Sequence, residues 1–270
     1  MKTAIRENME LVSVIIPMYN AGKTIIRTLD SVKNQKYTGN FEIIIVDDGS
    51  TDQSAELVKT YILENGNLDI RLIQQRNSGV STARNVGMKE AHGNFIALLD
   101  ADDEWLPEKT ERQMKYLSDP ELKIDFLVSL WNNERLTFPY FKDRKTGLVK
   151  ISLKQLLLKI TGQTSTAIFR KEVLQKTGFF DEKQKYSEDA NFWMRVTEHY
   201  NMMLVPERLV LAGGGKKSFG VSGLSANLKE MEKGIQKNIR EMYHSGRISF
   251  VEYLFYYTVS KLKYAIRPFR

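Results

Sequence analysis

Cysteine is absent from the 270 residues, so neither disulfides nor thiolate metal sites are open to this chain. Histidine is scarce: His92, His199 and His244 stand far apart, which argues against a histidine-built metal centre. No apolar run approaches the roughly 20 residues that a membrane-spanning helix needs. The short run Leu11–Met18 ends at Tyr19-Asn20 without a cleavage-site pattern, so no signal peptide is expected and a cytoplasmic location is. No Walker A motif occurs and no GxGxxG follows the first apolar run, so P-loop and dinucleotide-binding readings lose support. The length suits one large α/β domain, or one domain with an appendage.

Charge is present but uneven. The net charge is +7, and residues 213–270 hold eleven Lys/Arg against four Asp/Glu, so the preceding part is balanced. A basic tail suits an anionic surface, membrane lipid or nucleic acid, and is equally the composition of a solvated helix. No nucleic-acid recognition motif accompanies it, and none of that class of partner is expected. Within the tail, Val251, Phe255, Val259, Leu262, Ile266 and Phe269 recur at helical intervals, and Tyr253, Tyr256, Tyr257 and Tyr264 add amphipathic rings. Arg247, Lys261, Lys263, Arg267 and Arg270 face the single acid Glu252 from there on. Such a helix can lie in a membrane interface, pack on the rest of the chain or pair with a second copy.

Two acidic clusters follow two aliphatic runs. Ile43–Val46 leads into Asp47-Asp48-Gly49-Ser50-Thr51-Asp52, and Phe95–Leu99 into Asp100-Ala101-Asp102-Asp103. Continuous aliphatic runs read as buried parallel strands, and ligands of open α/β sheets gather beyond the carboxyl ends of such strands. Carboxylates converging there call for a cation, and hard oxygen donors suit Mg²⁺ or Mn²⁺ with a phosphate. A solvated turn is the alternative for either cluster alone.

Around them the pattern alternates. Strands are expected at Val12–Pro17, 41–46, Ile70–Ile73 and Phe95–Leu99. Helices are expected after Asn20, which can cap the first (Ala21, Ile25, Leu29 and Val32 inward), after Ser50 or Asp52 (Ala55, Val58, Tyr61 and Ile62 inward), and from Val80 to Ala91. The later part reads as strands at Asp125–Leu130 and Ser165–Phe169, with helices at Leu153–Ile160, Lys171–Thr177 and from Glu188 to about Tyr200. Met202–Leu211 is one bent strand or a pair, Gly213–Gly215 a hinge, and Leu224–Tyr243 and Ile248–Ile266 are helices. Strand–helix alternation at this spacing implies a mostly parallel central sheet with right-handed crossovers.

These pieces, in this order, resemble glycosyltransferase family 2, the inverting nucleotide-sugar transferases of the GT-A fold. The matching segments are Val12–Asn20, Val46–Asp52, Asn77-Ser78-Gly79 with Ala83-Arg84-Asn85, Leu99–Asp103 and Glu188-Asp189. The resemblance implies a GT-A catalytic domain over 1–212, with 11–105 binding the nucleotide-sugar and 106–212 the acceptor, followed by a basic helical extension over 213–270. It implies nucleotide-sugar contacts from Pro17, Tyr19, Asn20, Asp47, Asp48, Arg84, Asp100, Ala101 and Asp102. Asp48 would meet the uracil N3–H, with Asp47 as a turn cap instead, and the Arg84 fork would meet the nucleotide or bridge the acidic crevice. Asp102, with Asp100 and Asp103, would hold Mn²⁺ or Mg²⁺. Asp189 would be the catalytic base, and Glu188 would hold the acceptor sugar. The QxxRW motif and membrane helices of processive members are missing, which implies transfer of a single sugar. The implied donor is a UDP-sugar, and the implied acceptor a saccharide, lipid-linked in surface polysaccharide assembly, met at the inner face of the plasma membrane. A non-catalytic nucleotide-sugar-binding subunit and a Mg²⁺-dependent phosphohydrolase or nucleotidyltransferase are the alternatives; the latter would want a glycine-rich phosphate loop that Met18–Gly22 does not provide.

Overall fold

A computed structural model describes residues 10–136, 142–215 and 226–267. Aliphatic, β-branched runs form β1 (Leu11–Met18), β2 (Asn40–Asp47), β3 (Asp69–Gln74) and β4 (Phe95–Leu98). Their crossovers are α1 (Ile25–Lys33), α2 (Ser54–Glu64) and α3 (Val80–Glu90). The chain then runs through β5 (Glu104–Trp105), α4 (Lys109–Leu117), β6 (Phe126–Trp131), β7 (Val149–Lys150), α5 (Leu153–Leu158), β8 (Ile168–Arg170) and α6 (Val173–Thr177). It ends with α7 (Glu188–His199), β9 (Met202–Leu211), α8 (Leu228–His244) and α9 (Phe250–Ile266).

Among the described residues the nine strands join one sheet in the order β3-β2-β1-β4-β8-β6-β9-β5, with β7 also on β9. The ladders among β1 to β4 are parallel, as is β6 with β9, while β8, β5 and β7 pair antiparallel. The long ladders are thus the parallel ones. Period-2 alternation sends Val12, Val14, Ile16 and Met18 of β1 into one apolar layer, beneath α1, α2 and α4, and Ile15 into the other, beneath α3 and α5 to α9. Met202–Leu211 is a single strand whose register shifts where it passes Ser129–Trp131, which settles the choice between a pair and one bent strand.

Two local expectations change. Asn20 does not cap α1: it sits in the left-handed region (φ 50°), and Thr24 precedes the helix. Its N–H donates to Ser50 Oγ at 2.9 Å and its Oδ1 accepts from Thr51 N–H at 2.8 Å, tying the β1 and β2 ends together. Strand 165–169 is shortened, because Thr164–Thr166 forms a 3-10 turn before β8.

The tail packs on the second layer. Ile239, Met242, Ile248 and Tyr256 join that core, and Ser260 Oγ donates to Glu232 of α8 at 2.7 Å. The stripe read from the sequence is not the packed side. Val251 is 76% exposed, Phe255 54%, Leu262 59% and Ile266 51%. Phe269 and Arg270 lie outside the described residues. Among the described residues no helix is long and apolar enough to cross a membrane.

Candidate active site

Strand order reverses at β1, which has β2 on one side and β4 on the other, so a crevice opens at the carboxyl ends of these three strands. Tyr19 lies there, 53% exposed, just past buried Pro17, which pairs with Val46. Asp47 is buried and caps the turn, its Oδ1 accepting from Ser50 N–H at 3.0 Å and its Oδ2 from the Gln74 amide at 3.1 Å. Asp48 is buried as well. Its Oδ1 accepts from Ser78 N–H (2.8 Å) and the Gln75 amide (2.7 Å), and its Oδ2 from Gly79 N–H (2.8 Å). A buried carboxylate so engaged anchors the 75–79 loop. The loops come close enough that a Cβ on Gly49 (φ +74°) would lie 2.8 Å from Asn77 N, so glycine is required at that position.

The second acidic loop is stitched from below. The Ala101 carbonyl accepts from the Thr24 and Thr28 hydroxyls at 2.7 and 3.0 Å, so Ala101 contributes backbone. Asp103 is buried, with Oδ1 on Gly213 N–H (2.7 Å) and Oδ2 on Ser165 Oγ (2.6 Å) and the Gln163 amide (2.7 Å). Burial, then the charges of Asp100 and Asp102, push its carboxyl above the usual range against those donors. Asp103 therefore pins the loop to the start of Gly213–Gly215. Asp102 is exposed at the crest of the loop. Asp100 is partly buried, its N–H donating to Ser165 Oγ at 2.9 Å.

The third component comes from α7. Arg84 of α3 is buried and forks between Asp100 Oδ1 (2.7 Å) and Glu188 Oε1 (2.9 Å), its guanidinium 5.3 Å from the Phe180 ring centroid. Burial opposes its charge, but the two carboxylates more than compensate and hold it protonated. Arg84 therefore bridges Asp100 and Glu188, drawing the β4 end and the start of α7 together. Asn85 next to it exchanges hydrogen bonds with the Phe180 backbone, both at 2.9 Å, fixing the turn that leads towards α7. Asp189 lies beside Glu188 on the first turn of α7. Burial, then the Glu188 charge, push its carboxyl up to about 7, against Ala190 N–H and Arg84.

Among the described residues no group of three or more acids or histidines is arranged to hold a metal by itself. Asp102 with partly buried Asp100 suits the other mode, in which Mg²⁺ or Mn²⁺ takes one or two carboxylates and completes its shell with phosphate oxygens and water.

The family model described as glycosyl transferase family 2 matches residues 13–178. The chain belongs to glycosyl transferase family 2. One relative within the family, an uncharacterized glycosyltransferase of Rickettsia felis, is 30% identical over 212 residues, covering 77% of this chain and 34% of that protein. Glycosyltransferase YibD of Escherichia coli is 44% identical over 112 residues, 42% of this chain and 32% of its own length. The putative teichuronic acid biosynthesis glycosyltransferase TuaG of Bacillus subtilis is 36% identical over 116 residues, 43% of this chain and 45% of its own. The chain thus spans about a quarter to a third (26–34%) of the length of such relatives as the Rickettsia and E. coli proteins. In structure it is similar to residues 1–349 of S. aureus TarS in complex with UDP, with a TM-score of 0.64 at 25% identity over 84% of this chain and 65% of that one. It is also similar to the mannosyltransferase PcManGT of Pyrobaculum calidifontis, in complex with GDP-Man and Mn²⁺, with a TM-score of 0.66 at 20% identity over 86% and 64%. The fold is the GT-A fold of these proteins, with a helical C-terminal region.

Sequence reading misses Gln163 and Ser165, which brace Asp100 and Asp103 from a run of small polar residues with no motif signal. Lys216 and Lys217, which follow Gly213–Gly215, lie outside the described residues.

Proposed function

We propose that this chain is a non-processive, metal-dependent, inverting glycosyltransferase that moves one sugar from a nucleotide-sugar, a UDP-sugar, to a saccharide acceptor. The observation that carries this reading is Asp189, a carboxylate of raised pKa on the first turn of α7 next to Glu188, which Arg84 bridges to Asp100 in the loop that carries Asp102. The acceptor hydroxyl oxygen attacks C1 of the donor sugar while its proton passes to the Asp189 carboxylate. The bond from C1 to the diphosphate breaks, the diphosphate leaves with the electron pair, and the configuration at C1 inverts. Asp102, with Asp100 beside it, would hold Mg²⁺ or Mn²⁺, which when bound neutralises charge on the diphosphate oxygens. Tyr19 offers its ring to the nucleotide base, and Asp48 shapes the base site through the 75–79 loop. Burial and then the Glu188 charge raise the pKa of the Asp189 carboxyl, and the Arg84 charge lowers it.

The same reading places the acceptor on a lipid carrier in surface polysaccharide assembly, with the protein at the inner face of the plasma membrane. The exposed apolar stripe of α9 supports this, since the helix already packs through Tyr256 and Ser260 and leaves Val251, Phe255, Leu262 and Ile266 outward beside Lys261. A basic residue near anionic lipid contributes roughly 1 kcal/mol. A second copy of the chain is the competing occupant. A base of raised pKa favours an enzyme over a non-catalytic binding subunit.

The test is a donor screen: protein with each common UDP- or GDP-sugar and Mn²⁺ or Mg²⁺, reading nucleotide release, with Asp189→Asn as control. Release that requires Asp189 and yields the inverted anomer supports the reading. No turnover of any donor, or retention at C1, refutes it.

A further inference from the structure

Helix α8 lies in the C-terminal extension, yet its inner face is not built like a docking stripe. Gly234, Asn238 and Glu241 are spaced to share one face, and that face meets the turn immediately before Glu188-Asp189. A Cβ on Gly234 would collide with the Tyr186 carbonyl, so the helix backbone rests directly on the turn. Asn238 is fully buried. Its Nδ2 donates to the Ser187 carbonyl at 2.9 Å, while its Oδ1 accepts from the Gln184 amide at 2.8 Å and the Asn191 amide at 3.2 Å. Gln184 also donates to the Tyr186 and Ser187 carbonyls at 3.0 and 3.1 Å, and Asn191 to Glu241 at 2.6 Å. Lys237 closes the far side, donating to Gln184 Oε1 at 2.6 Å and Asp181 at 2.7 Å.

Ser187 explains why such a network is there. It holds a left-handed conformation (φ 55°, ψ 30°) without glycine, and its side chain makes no capping bond to α7. A non-glycine residue there costs on the order of 1–3 kcal/mol and persists only where its surroundings impose it. The direction in which the chain leaves Ser187 decides where the first turn of α7, and so Asp189, points. A buried amide network is favourable only when fully satisfied, and it then specifies one geometry.

We propose that Asn238 is a positioning residue for glycosyl transfer: through the Ser187 carbonyl it fixes the left-handed turn that aims Asp189 at the acceptor oxygen, so the C-terminal extension is part of the catalytic apparatus. This rests on the reading of Asp189 as the base. Asn238 lies outside the nucleotide crevice, so its loss separates turnover from donor binding.

The experiment uses the full chain, with UDP and Mn²⁺ as the binding probe and release of nucleotide from the sugar donor found by screening as the turnover probe. Asn238→Ala should lower kcat roughly 10- to 100-fold, the scale of a misplaced catalytic group, while KM for the donor and Kd for UDP stay within about twofold. Asn238→Ser, whose hydroxyl retains part of the network, should recover part of the rate. Unchanged kcat in Asn238→Ala overturns the proposal, as does a parallel rise in KM and Kd. If Asn238→Ala does not fold, the serine variant bears the same criteria, and failure of both to fold overturns the proposal by making Asn238 a requirement of the fold. Wild-type turnover that survives Asp189→Asn overturns the base assignment and this inference together, whereas turnover lost in Asp189→Asn but kept in Asn238→Ala overturns this inference alone.

Discussion

Replacing Arg84 by methionine keeps the stem and the burial and removes only the fork between Asp100 and Glu188. Charge-assisted bonds contribute about 1.5–3 kcal/mol each, and removing one partner of a buried ion pair costs about 3–5 kcal/mol. The Asp100 side chain keeps 24% of its surface and regains water once Arg84 is gone, while Glu188 keeps 11% and regains little. The expected loss is therefore at the lower end, about 3 kcal/mol. Urea unfolding followed by tryptophan fluorescence measures it. Arg84→Lys keeps a charge but no fork, reaches one acid at a time, and should lose about half as much. A loss under about 1 kcal/mol would refute the bridge as a structural element.

Asp102→Ala should remove most metal-dependent UDP affinity in calorimetry, and wild-type binding that chelation leaves unchanged would contradict the metal assignment. Asp189→Asn should lower turnover roughly 10²–10⁴-fold with little change in UDP affinity. Because Asp189 must be ionised to take the proton and its carboxyl sits at about 7, wild-type kcat should rise with pH through that region; a flat profile there would remove it as the base. Glu42, almost fully buried, is pushed up by burial but pulled down further, to about 2, by Ser13, His92 and Gly93. It stabilises the fold above its unfolded value near 4.5 and loses that as pH falls through about 2, so Glu42→Gln should weaken the acid dependence of stability in urea titrations. Phe255→Ser with Leu262→Ser alters only the outward face of α9 and should abolish sedimentation with anionic liposomes at low salt without lowering Tm; wild-type protein that ignores such liposomes and forms dimers assigns the face to a second copy.

The parallel half of the sheet, its crossovers and the two acidic loops are legible in the sequence, because continuous aliphatic strands and acids at their ends are local patterns with local causes. So are the extended run Met202–Leu211 and the helical tail. Helix α4 escaped it, since Lys109, Thr110 and Gln113 are buried polar residues that break the apolar signal of its inner face. The apolar stripe of α9 is legible as a stripe, yet periodicity does not say which side a helix turns inward; the Ser260–Glu232 bond and Tyr256 decide that. The site divides the same way. Asp100, Asp102 and Asp189 stand out in the chain, but the partners of Arg84 (Asp100 and Glu188) and the anchoring bonds of Asp48 and Asp103 emerge on folding. A buried polar group must find its partner wherever the folded chain brings one, and that partner is set by the path of the whole backbone rather than by neighbouring residues.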